Sequence, residues 1–171
     1  MSMKLSAFVL PAAALMLAAG PGAAATAVLG AQAAACHAGA GGPALLVTVE
    51  GFRERTGTLR VALYRANDEF LARHRWLQRI DVPVTRAGAM SVCVPVPAPG
   101  RYAVAVRHDL DGNGHSGWSD GGGFSRNPRI SLVNLRPRVQ DVAINVGANG
   151  IQPVGVVLNY RFGLSIHPVG A

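Results

Sequence analysis

The sequence predicts an all-β domain of two-sheet, sandwich type, and three observations carry that expectation. Apolar residues recur with a period of two in one short run after another, the pattern of strands with one buried face. The runs are separated by turn-forming stretches, with 21 Gly and 11 Pro in 171 residues. Hydrophobic residues reach 50% and charged residues only 15%, so the chain has ample core-forming material and does not read as disordered. A small closed barrel is the alternative architecture.

The strands follow in chain order. Leu45, Val47 and Val49 alternate with Leu46, Thr48 and Glu50, and Gly51 closes the run. Leu59, Val61 and Leu63 alternate with Thr58, Arg60 and Tyr64, which suits one buried and one wet face. Met90, Val92, Val94 and Val96 share a face, which turns Cys93 to the opposite side. Pro97-Ala98-Pro99-Gly100 is a turn. After it, Tyr102, Val104 and Val106 alternate with Ala103 and Ala105; both faces are apolar, so this strand is expected to be central. Ile130 to Leu135, then Val142, Ile144 and Val146, then Val154 to Phe162 complete about seven strands, with room for an eighth near Ile80 to Thr85. Asn67 to Arg79 breaks the alternation and suggests a short helical turn capped by Asn67 or Asp68.

Ahead of the strands stands a leader. Lys4 is a positive start, Leu5 to Ala19 is an uncharged apolar run, and Ala23-Ala24-Ala25 and Ala25-Thr26-Ala27 are A-x-A cleavage sites. That order is a secretory signal peptide, and the run is short of the ~20 residues a spanning helix needs. The expected organisation is a cleaved signal peptide over 1–27 and a flexible Ala/Gly-rich lead-in over 28–43. A β-sandwich over 44–162 and a C-terminal tail over 163–171 follow. The mature protein is then periplasmic or secreted, with no transmembrane segment. The two cysteines, Cys36 and Cys93, are an even number in an oxidising compartment and are expected to pair.

Lys4 is the sole lysine, so the mature chain carries 15 Arg against 9 acidic residues. The arginines are scattered and no aromatic platform accompanies them. Nucleic acid is therefore not expected as a partner, and weak attraction to an anionic envelope surface is.

One segment resembles a known family. The residues are Pro99-Gly100-Arg101-Tyr102-Ala103-Val104, then His108-Asp109-Leu110-Asp111-Gly112-Asn113-Gly114, then Gly123-Phe124-Ser125-Arg126-Asn127. This succession resembles the bacterial family termed domain of unknown function 2141, over about residues 45 to 160. The resemblance implies an exported domain of immunoglobulin- or prealbumin-like sandwich type and implies no activity. Family loops usually carry Pro-x-Glu-Gly before the Gly-Phe-Ser element; here Ser119-Asp120-Gly121-Gly122 stands instead.

The loop itself carries the chemistry. Asp109, Asp111, Asn113, Gly114 and Asp120 fit D-x-D-x-N-G followed by five residues and an acid, the spacing of a calcium loop with Asp where Glu is usual. The His115 carbonyl falls where the backbone normally supplies a ligand, so the candidate Ca²⁺ set is Asp109, Asp111, Asn113, His115 and Asp120. The competing reading is a plain polar hairpin of turn-forming residues. A transition-metal site on His108, His115 and Asp109 is a third, and His108 reads better as a strand-end histidine with its bonds satisfied. Trp118 is a candidate ligand contact, although covering the open end of the sandwich is the favoured role. The functional expectation is a non-enzymatic module that binds or scaffolds in the cell envelope. The alternative is an envelope carbohydrate hydrolase using the loop carboxylates.

Overall fold

The computed structural model describes residues 27–170, and the expected signal peptide falls almost wholly on residues outside them. Two β-sheets pack face to face as a sandwich, with no closed barrel. The smaller sheet holds β1 (Val28–Leu29), β5 (Met90–Pro95), β2 (Ala44–Glu50) and β9 (Ile151–Val157), in that spatial order. The larger runs β11 (Ser165–Pro168), β10 (Asn159–Phe162), β7 (Gly121–Phe124), β6 (Gly100–Asp109), β3 (Thr58–Arg65), β4 (Gln78–Pro83). An eleventh strand, β8 (Ile144–Val146), pairs with the start of β6. Most neighbours are antiparallel; β2 pairs parallel with β9, and β1 with β5.

The alternation read from the sequence decides which side chains meet. Leu45, Val47 and Val49 of β2, with Met90, Val92 and Val94 of β5, face Leu59, Val61 and Leu63 of β3 and Tyr102, Val104 and Val106 of β6. Strand β6 lies between β7 and β3, the central position expected from its two apolar faces. Pro153 is tolerated in β9 because that strand is an edge of its sheet, where a missing N–H costs no ladder bond. Leu158, fully buried, carries the chain from one sheet to the other between β9 and β10.

Cys36 and Cys93 form a disulfide. Cys93 faces away from the inter-sheet core, as its register requires, into a separate cluster of Cys36, Ala44, Val28, Ala35 and Leu46 on the outer side of the smaller sheet.

Four expectations need correction. Residues 28–43 carry β1 and a 3-10 turn (Ala33–Cys36) held by the disulfide. Residues 163–171, expected as a tail, contribute β11, which pairs with β10 from Asn159↔Pro168 to Phe162↔Ser165. Asn67 to Arg79 folds as successive turns up to the start of β4 at Gln78, one opened by the Asn67 side chain accepting the Glu69 N–H, with Leu71 and His74 at positive φ. Ile130 to Leu135 is not a strand. Its only pairing is the internal bridge Ser131↔Asn134, and Val133 is 98% exposed. The place beside β6 is taken by β7, which the periodicity did not reveal because three of its four residues are glycine. A Cβ on Gly121 would lie 2.5 Å from the Tyr160 ring and one on Gly123 2.6 Å from Val156, so the inward positions of this strand admit no side chain.

Candidate functional site

Strand β6 ends at Asp109 and the chain returns as β7 at Gly121, so the candidate calcium loop is a long hairpin connection. Its polar groups are organised by Asx turns, side-chain oxygens accepting backbone N–H groups two residues ahead. Asp111 accepts from the Asn113 N–H at 3.1 Å, and Asn113 from the His115 N–H at 2.7 Å. Asp109 Oδ2 accepts the Gly114 N–H at 2.8 Å. Asp120 accepts from Leu110 and Gly117 with its two oxygens. Gly112 and Gly114 take positive φ, at 69° and 81°, which glycine adopts without strain.

The carboxylates of Asp109, Asp111 and Asp120 each place an oxygen within 4.8 Å of the others. Oxygens that close can share one cation, since two on opposite sides of a Ca²⁺ ion, each at 2.3–2.6 Å, stand about 4.6–5.2 Å apart. Asp109 is 3% exposed, and its Oδ1 is buried with no hydrogen-bond partner. Asn113 and His115 are held in the same loop, both exposed.

Arg107, two residues before Asp109 and on the same face of β6, reaches into the loop. Its guanidinium donates to Asp109 Oδ2 at 3.1 Å, to the Gly114 carbonyl at 3.0 Å and to Ser116 Oγ at 3.1 Å. The loop is also braced from the β2–β3 connection. Arg53 donates to the Ser119 carbonyl at 2.7 Å and Thr56 to the Leu110 carbonyl at 3.2 Å. Gly57 packs so closely that a Cβ there would lie 2.0 Å from the Asp109 carbonyl. These braces are long-range and left no local pattern to read, whereas Arg107 was legible from its i, i+2 spacing to Asp109.

His108 is fully buried, and both ring nitrogens are engaged within the fold, Nδ1 with the Tyr160 hydroxyl at 2.6 Å and Nε2 with the Thr56 carbonyl at 2.7 Å. A carbonyl only accepts, so Nε2 donates, and in the neutral ring Nδ1 accepts the Tyr160 O–H. Burial pushes the Tyr160 phenol above its ordinary pKa, against a hydrogen bond from the Arg53 backbone and the nearby Arg53 and Arg55 charges; it stays a donor. His108 is thus a satisfied structural residue, and neither nitrogen is free for a metal. Trp118 is 75% exposed, so it does not cover the end of the sandwich, the role favoured for it. The Arg161 guanidinium lies over its ring, 3.9 Å from the centroid.

The Gly-Phe-Ser-Arg-Asn element is architectural. Phe124 packs with Ala103 and Val142 on the outer side of the larger sheet. Ser125 Oγ accepts the Val104 N–H and donates to the Val142 carbonyl, tying β6 to the short helix α1 (Val139–Val142). The Asn127 amide accepts from the Val157 N–H at 2.8 Å and donates to the Gly155 carbonyl, standing in for a strand along the free edge of β9.

A family model described as uncharacterized protein conserved in bacteria (DUF2141) matches residues 47–152. No curated protein and no solved structure gives a significant match. Among the described residues, no helix is long and apolar enough to cross a membrane.

Proposed function

Because the chain belongs to this bacterial DUF2141 family, we propose that it is an exported, non-enzymatic β-sandwich module whose 109–120 loop takes a Ca²⁺ ion and which binds or scaffolds in the cell envelope. One observation carries the ion: three carboxylates converge within 4.8 Å, and one of them, Asp109, keeps a buried oxygen without a partner. A buried carboxylate oxygen left unpaired is costly, and a cation removes that cost. Export rests on the Lys4 to Ala27 leader pattern and is supported by the disulfide, a bond of oxidising compartments.

A thermal melt with calcium, magnesium or chelator tests the ion. Binding stabilises the native state by RT ln(1 + [L]/Kd), about 1.4 kcal/mol at ten times Kd, which raises Tm by roughly 3–8 °C. Asp111→Ala abolishes the shift and Arg65→Ala, at an exposed position, keeps it. Magnesium does less, because it demands octahedral geometry and gives up water reluctantly. Superimposable melts at millimolar calcium and in chelator would reduce the loop to a plain turn. Mass spectrometry of the exported protein should find its start near Thr26 or Val28; Met1 retained there removes the leader reading.

A further inference from the structure

The outer face of the larger sheet holds a trough that the ion does not explain. Two concavities, of about 190 and about 400 Å³, share Gly117, Asp120, Gly122 and Phe124 and so adjoin along this face. Together they fall in the 300–1,000 Å³ range of small-molecule sites. The floor is made of small residues, Ala62, Ala105 and Gly122, on three successive strands, paired Ala62↔Ala105 and Gly122 beside Arg107.

Gly122 is the informative residue. Gly121 and Gly123 are required by close packing, but a Cβ on Gly122 would meet nothing nearer than the Val106 carbonyl at 3.9 Å, and its φ is not positive. Neither packing nor backbone conformation asks for glycine there, and glycine weakens a strand interior. Glycine in a strand also marks places where another molecule approaches the backbone closely, and Gly122 lines the trough.

The rim identifies that molecule. The chain has two tryptophans, and both line the trough, each beside an arginine: Trp118 under Arg161 at 3.9 Å, Trp76 with Arg79 at 5.7 Å. An indole plane stacks on the C–H face of a sugar ring, and a guanidinium stacked over the indole's other face, as Arg161 is over Trp118, leaves its N–H groups for a carboxylate. The charge is nearly balanced. Arg60 and Arg79 share Asp81, Arg107 pairs with Asp109, and Arg161 has no carboxylate partner among the described residues. Rows of phosphates need more surplus cation than that. We propose that this trough binds a short oligosaccharide in which uronic acid alternates with neutral sugar. The trough shares Asp120 with the proposed ion loop, but the residues that would hold the sugar, Trp76, Trp118 and Arg161, are not among the ion's ligands.

Tryptophan fluorescence is the direct readout, because both reporters lie in the site. Titration of the mature protein with a hyaluronan tetrasaccharide, in chelator and in calcium, should give a saturable change in the millimolar range or below. Chitotetraose, the neutral counterpart, should bind at least tenfold more weakly. Trp118→Ala should lower affinity about tenfold, the scale of one stacked ring. Arg161→Gln should erase the preference for the acidic sugar. Gly122→Val should abolish binding while retaining the fold by circular dichroism and any calcium shift in Tm, so the two readings fail separately. The proposal is overturned by a flat titration, by unaltered binding in Gly122→Val, or by equal binding of chitotetraose. An equal or stronger response to tetrathymidylate or tetraglutamate also overturns it, and assigns the trough to a nucleic acid or an acidic peptide.

Discussion

The two outer faces of the sandwich are finished in opposite ways. On the smaller sheet, Ala44, Leu46 and Cys93 are covered by Val28, Ala35 and Cys36. The cover is slight, one 3-10 turn reached through the edge strand β1, and a covalent bond holds it down. On the larger sheet, Ala62, Ala105 and Gly122 present an equally small-residue surface, but the neighbouring loops wall it without closing over it. Small side chains on a sheet face therefore have two readings. Where a segment lies over them they make room for it, and where none does they leave a recess for something else.

The largest effect should come from neither outer face. Leu63 is fully buried between the sheets, and Leu63→Ala should cost about 2–5 kcal/mol in urea denaturation. A loss no greater than that of a solvent-facing substitution would mean that the inter-sheet core does not dominate stability. Next comes the covered face. Cys36→Ser opens a bond spanning 57 residues and should cost about 2–4 kcal/mol, leaving the opposite face intact. Native, unreduced protein should accordingly show no free thiol on titration, and two reactive thiols would remove the contrast between the faces.

Tyr160→Phe sits where the core meets the loop. It strips the hydroxyl from His108 Nδ1 and leaves a buried acceptor unpaired, for about 1–3 kcal/mol. A neutral result would show that water replaces the hydroxyl there. The smallest effect belongs to the open face's far edge. Asp81 is drawn two ways: partial burial raises its pKa, but hydrogen bonds and charge from Arg60 and Arg79 prevail and hold it below the ordinary value. Being depressed in the folded state, it contributes stability above the unfolded pKa of about 4. That contribution is lost as pH falls through the folded value. Asp81→Asn should cost under about 1 kcal/mol near neutrality, and the difference from the native protein should vanish in acid. A difference that persists once the carboxyl is protonated would point to lost packing.

Much of this was legible beforehand, for identifiable reasons. Strands β2, β3, β5 and β6 announce themselves because each buries one face, and a period of two survives in the residue order. The cysteine pairing followed from parity and the expected compartment, and the closeness of the three carboxylates from their spacing around glycines in one acidic loop. Strand β7 was invisible because its glycines answer to Tyr160 and Val156, residues more than thirty positions later. The apolar alternation at Ile130 to Leu135 misled because alternation shows that a segment can pair, and not that a neighbour is free.

What the residue order determined by itself was therefore whatever short-range periodicity and spacing encode: the fold class, the buried faces, the cross-linked pair and the acidic loop. Tertiary structure alone decided which strand stands beside β6, how Arg53, Thr56 and Gly57 brace the loop, and that Trp76 and Trp118 line one trough. Those relations join positions far apart in sequence, and only the packing of one sheet on the other brings them within reach.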